Sequence, residues 1–195
     1  MNAVFIHIPK TGGLTVQNTL QFPPLRNRHR IKNNFRDRGP ISVGHMLYPK
    51  LIRHGLISRE FDRSAFKACF CRNPYDRAVS HWSYTMRKHP DRLAPGTSFL
   101  EFTRLLPEKP DFRPQSWWVE GVEIDFLGRF ERLEKDILRL ADHLGVRVGA
   151  IPKSNSSYHP PYPYCYCEES KQRVEDFYKP DFERFGYEHD DTILH

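Results

Sequence analysis

No stretch of the 195-residue chain approaches the roughly 20 consecutive apolar residues needed to cross a bilayer. The opening MNAVFIHIPK holds only a short apolar run, so neither an anchor nor a signal peptide is expected, and the expected location is cytoplasmic. Cysteine is scarce. The four fall as Cys69 with Cys71 and Cys165 with Cys167, a closer pairing than the usual zinc-knuckle separation of about two to four residues. Because AFKACFC also reads as a buried strand, no metal site is expected, and the thiols are expected to be reduced and buried. Without export, a disulfide framework is not expected either. Internal repeats are missing, which sets solenoids and arrays aside.

What is present fits a globular protein. The chain is 38% hydrophobic and 28% charged, with 14 Phe and 9 Tyr, enough large apolar side chains to fill a core and to argue against global disorder. Its length suits one domain over 1–195 better than two independent ones. A formal net charge of +6 favours anionic partners without choosing among nucleotide, nucleic acid, sulfated glycan and acidic lipid.

Local patterns alternate strand with helix. Residues 3–8 form an apolar run ending at Pro9, then a glycine pair, then LTVQNTL with helical character. Residues 22–40 turn to Pro, Asn and Arg and read as a surface excursion. After a short SVGH segment, Leu47, Leu51 and Ile52 have helical spacing, and a second strand is expected over 65–71. Asn73 and Pro74 suit an N-cap and first helical position, and Ala78, Trp82 and Met86 share a helical face. SFLEFTRLL reads as helix, VEIDFLGRF as a third strand, and LEKDILRLADHL as an amphipathic helix closed by Gly145. A last helix is expected near 168–178. The fold class implied is α/β, a central mainly parallel sheet flanked by helices, with ligands at the carboxyl ends of the strands.

Two motifs carry the chemistry. In HIPKTGGLT, residues 7–15, a strand runs into a loop with Lys10, Gly12 and Gly13. The glycines allow close backbone approach to an anion, the following helix start adds partial positive charge, and Lys10 adds a full one. Thr11 and Thr15 offer hydroxyls. The lysine precedes the glycines, whereas a Walker A loop has Gly-Lys-Ser/Thr after the four-residue gap. In CFCRNPYDRAVSHW a strand ends at Arg72 and a helix begins at once, carrying Ser80. Arg72 offers a planar fork suited to phosphate oxygens, and Ser80 can complete the shell. The plainer alternatives are a connecting turn, a strand-capping arginine, and Asp76 paired with Arg77 or Lys88.

Together these residues resemble the nucleotide signature of the sulfotransferases that use PAPS (3'-phosphoadenosine 5'-phosphosulfate), whose fold is a P-loop-like α/β sheet. The resemblance implies that Lys10, Thr11, Gly12, Gly13, Leu14 and Thr15 hold the 5'-phosphosulfate, that Arg72 and Ser80 hold the 3'-phosphate, and that no metal takes part. GHMLY around His45, RPQSWW around Gln115, FLGRFERLEKD and DFYKPDFERFGY resemble the carbohydrate branch, including the heparan and chondroitin 2-O-sulfotransferases and small bacterial relatives. An acceptor that is a carbohydrate or glycolipid hydroxyl is implied, met by His45 and Gln115.

In such a reaction Lys10 stabilises charge on the leaving phosphate oxygen. His45, with an ordinary pKa of about 6.5, suits the general base, with His81 second in line and His7 structural. The run of residues 26–38 either grips an acidic acceptor, with Arg30 as the candidate contact, or is solvated. Trp117 and Trp118 either stack on a sugar ring or pack in the core. Two other readings stay open. One is a basic polyanion or nucleic-acid binding module, although Phe35 alone makes a poor stacking platform. The other is a kinase-like phosphotransferase on a related fold.

Overall fold

The computed structural model describes residues 2–22, 41–42, 47–53, 55, 57–108, 112–151, 159–190 and 193. Among them four strands form one sheet: β1 Ala3–Ile6, β2 Ile41–Ser42, β3 Phe66–Cys71 and β4 Phe126–Arg129. The order across the sheet is β2-β1-β3-β4 and every pairing is parallel. β1 is buried at all four positions, as a central parallel strand covered on both faces must be. Ile6 pairs with Cys69 and Cys71 with Arg129, so neighbouring strands bring their carboxyl ends to the same edge of the sheet. The sheet bears out the α/β expectation. Its fourth strand, β2, is two residues long and gives no alternation for a sequence pattern to reveal.

The described helices are α1 Gly13–Thr19, α2 Tyr48–Arg53, α3 Arg59–Ser64, α4 Pro74–Lys88, α5 Phe99–Arg104, α6 Leu133–Leu144 and α7 Glu168–Phe185. α4 starts where Asn73 accepts the Tyr75 N–H at 2.9 Å and Pro74 takes the first position, as its sequence signals imply. α6 ends at Gly145 in the left-handed conformation, φ 66°. α7 runs seven residues beyond Tyr178, through Pro180. An interior proline costs about 3 kcal/mol, and the helix continues because Phe182 and Phe185 are buried past it.

The chain divides into two compact units. The first, Met1–Cys71 with Trp117–Asn155, holds the sheet. Its core joins Phe5, Ala68, Phe70 and Phe126 from the sheet to Val16 and Leu20 of α1 and to Ile137, Leu140 and Ala141 of α6. Ile137 and Leu140 are wholly buried, each contributing about 1.5–3 kcal/mol by leaving water. The second, Arg72–Ser116 with Ser156–His195, packs α4, α5 and α7 around Tyr75, Val79, Phe102, Val174 and Tyr178.

The cysteines divide likewise. Cys69 and Cys71 are buried in β3, but Cys165 is half-buried and Cys167 exposed, so the expectation of burial fails for the second pair. Among the described residues no helix is long and apolar enough to cross a membrane.

Candidate functional site

In the first unit the loop after β1 has a constrained backbone. Lys10 sits at φ 69° and Gly12 at φ 80°, both left-handed, a conformation costing a non-glycine residue about 1–2 kcal/mol. Such strain persists only where surroundings over-determine it, and it gathers at ligand clamps. A side chain on Gly12 would also press on Leu133 Cδ2 at 2.9 Å.

Gly13 is fixed by a different neighbour. The His7 imidazole lies directly beneath it, so that a Cβ there would stand 2.1 Å from Cδ2 and 2.2 Å from Nε2. The ring is only 4% exposed and stacks on Phe5, centroids 5.8 Å apart. His7 is therefore part of the floor on which the loop rests, in keeping with the structural role read from its place in the strand.

The other residues of the loop and of the first turn of α1 divide by what they can offer. Thr11 is wholly buried and donates its hydroxyl to the Ile8 carbonyl at 2.9 Å. Thr15 is buried, while Leu14 turns its side chain to solvent. A lysine beside glycine and threonine residues at the start of a helix is a donor set of the chemistry that suits a phosphate-bearing nucleotide.

In the second unit Arg72, the residue after β3, is 5% exposed. Its Nε donates to Asp76 Oδ2 at 2.8 Å, an i,i+4 pair across the first turn of α4. Gln115 Oε1 accepts the Arg72 N–H and Gln115 Nε2 donates to the Arg72 carbonyl, each at 2.8 Å. Asp181 of α7 supports Gln115 in turn. Its Oδ2 accepts the Gln115 N–H at 2.8 Å and the Nε2 at 3.3 Å, and its Oδ1 accepts the Ser116 N–H at 2.8 Å.

Burial raises the Asp181 pKa, against the pull of Arg77 and the backbone donors. Burial also lowers the pKa of Arg77, which is fully enclosed, lies over the Tyr178 ring at 5.5 Å and donates to the Arg113 carbonyl at 3.1 Å. Ser80 is likewise wholly buried on α4, and His81 packs edge-on against Phe112.

Of the sequence-derived candidates, Lys10, Thr11 and Gly12 form the loop after β1 and Gly13, Leu14 and Thr15 the first turn of α1, and Arg72 and Gln115 are bonded to each other. His45 and Arg30 lie outside the described residues. Trp118 is buried against Trp117, whose ring carries the Lys50 ammonium at 5.7 Å. Sequence reasoning missed Asp181. Its signal was there: Val174, Tyr178, Asp181 and Phe185 follow one another at helical spacing on the buried face of α7, and a carboxylate on such a face needs partners.

Comparison with known proteins gives the family. Residues 2–188 match the sulfotransferase family. No curated protein matches the chain. Among solved structures, mouse sulfotransferase SULT7A1 complexed with PAP shares the fold with a TM-score of 0.58 and 11% identity, over 94% of this chain and 85% of that one. Since the match runs through both compact units and stops at neither, the chain as a whole belongs to the sulfotransferase family, and its expectation as an enzyme stands.

Proposed function

We propose that the protein, as a single catalytic domain over 1–195, transfers a sulfuryl group from PAPS to a hydroxyl of a carbohydrate or glycolipid, in the manner of the 2-O-sulfotransferases and their small bacterial relatives. The observation that carries the reading is the turn from the loop into α1 over residues 10–15, strained at Lys10 and seated through Gly13 on the His7 ring. A built cradle of this kind, in a chain of this family, suits the 5'-phosphosulfate. The buried guanidinium of Arg72 with Ser80 suits the 3'-phosphate. The solved relative carries PAP, adenosine 3',5'-bisphosphate, the product of such a donor. A cytoplasmic location is part of the proposal.

Bound PAPS supplies the sulfuryl group and a phosphate leaving group. The Lys10 ammonium offsets the negative charge that gathers on the departing oxygen, where a positioned cation acts most strongly. Backbone amides from Thr11 to Thr15 hold the phosphate in line. His45 accepts the proton of the acceptor hydroxyl as the new bond forms, and Arg30 draws in an acidic acceptor.

The test is calorimetric titration with PAP, AMP and ATP in the absence of magnesium, followed by incubation with labelled PAPS and a panel of glycans and glycolipids. PAP should bind at least tenfold more tightly than AMP, since a bidentate arginine contact to phosphate adds about 1.5–3 kcal/mol. Equal affinity for PAP and AMP would refute the nucleotide reading, and label on none of the glycans or glycolipids would refute the acceptor class.

A further inference from the structure

Gln115 is wholly buried, and both ends of its amide are engaged within the protein. It bonds to the N–H and the carbonyl of the same residue, Arg72, the two-point grip by which one strand residue holds another. Gln115 itself is held through its backbone and side chain by Asp181, which is also wholly buried. Apolar residues would fill the volume without desolvating three polar groups, so the arrangement is an expensive way merely to pack. What it adds is direction: the peptide groups on both sides of Arg72 are each held by a hydrogen bond to the Gln115 amide, and Asp76 accepts from the guanidinium at Nε.

We propose that Gln115, held by Asp181, is a positioning residue that sets the Arg72 backbone and thereby the preference for a 3'-phosphate, and that it is not a contact of the acceptor. The proposal rests on the reading of Arg72 as the 3'-phosphate ligand. Glutamine is required by reach and charge. Asparagine is one methylene too short to grip both groups, and glutamate would set a second carboxylate against Asp181.

Calorimetry with PAP and with AMP on the full chain tests this. Gln115→Met keeps the volume and removes the grip. It should weaken PAP binding about tenfold, the size of one or two lost hydrogen bonds, while AMP binding changes less than about twofold. In an Arg72→Ala background the same substitution should cause no further loss of PAP affinity, because its effect passes through Arg72.

Should Gln115→Met fail to fold, Asp181→Asn, of equal shape, carries the same comparison and should shift the PAP to AMP ratio in the same direction by about threefold. Losses equal for PAP and AMP, or losses that add to those of Arg72→Ala, overturn the inference alone. A wild-type chain that binds PAP no better than AMP overturns the nucleotide reading and the inference with it.

Discussion

The Arg72 guanidinium donates through Nε to Asp76 Oδ2 at 2.8 Å, with the two side chains 6% and 19% exposed. Asp76 had two other cationic neighbours in the sequence, Arg77 and Lys88, and burial decided between the three. Arg77 turns wholly inward to Tyr178 and the Arg113 carbonyl, whereas Arg72 stands one turn back at the start of the same helix. A carboxylate on one edge of a guanidinium fixes its plane, as lysine's point charge cannot be fixed.

Arg72→Lys should therefore keep the charge and lose the aim. We expect PAP affinity to fall about tenfold, with AMP affinity changed less than about twofold. Titration of both nucleotides checks this, and full PAP affinity in the lysine variant would mean that charge alone is read.

Gly13→Ala should be the most damaging single methyl group in the loop. The new Cβ would lie 2.1 Å from the His7 ring, which is buried against Phe5 and cannot retreat. A loss of about 3 kcal/mol is expected, the upper end of overpacking costs. Gly55→Ala, also at positive φ but with nothing within 4 Å, should cost only the conformational strain of about 1–2 kcal/mol. Urea unfolding ranks the two, and His7→Ala should restore part of the Gly13→Ala loss.

The parts legible in the sequence were those whose signals are local. Asn73 and Pro74 announced α4, Gly145 closed α6, and the runs that became β1 and β3 are apolar because both sheet faces are covered. What was hidden depends on distant partners. The extension of α7 past Pro180 follows from burial of Phe182 and Phe185, which no proline rule anticipates. The lysine and glycine loop could be read from its motif, but its support by His7 could not, because ring and glycine meet only when the chain folds back from β1 to α1. The resemblance gave Gln115 as an acceptor contact, and no local pattern could show that its amide bonds to Arg72 and Asp181, 43 and 66 positions away.

His45→Ala and Lys10→Ala should separate chemistry from binding. If His45 takes the acceptor proton, its loss should lower transfer about a hundredfold to ten-thousandfold and leave PAP affinity intact. Lys10→Ala should lower transfer as well and weaken PAP by about tenfold, since a charged contact is lost. Full turnover in His45→Ala on a working acceptor would remove it from the mechanism.

Asp136 connects the sheet edge to the same loop. Its Oδ2 accepts the Arg129 N–H and Arg132 Nε at 2.8 Å, and its Oδ1 accepts Arg139 Nη1 at 3.0 Å; Phe130, next in the chain, would meet a side chain on Gly12 at 3.1 Å. Burial alone would raise the Asp136 pKa, but the three donors outweigh it and hold the carboxyl below its ordinary range. The unfolded chain therefore takes up the proton first as pH falls. The stabilisation is complete above the unfolded value of about 3.9 and disappears as pH drops through the folded one. Asp136→Asn should cost about 1–3 kcal/mol at pH 7, and the gap from wild type should narrow below about pH 4. Urea unfolding between neutral pH and pH 3 measures that gap; a constant difference would show that shape, and not charge, holds the end of β4 against the loop.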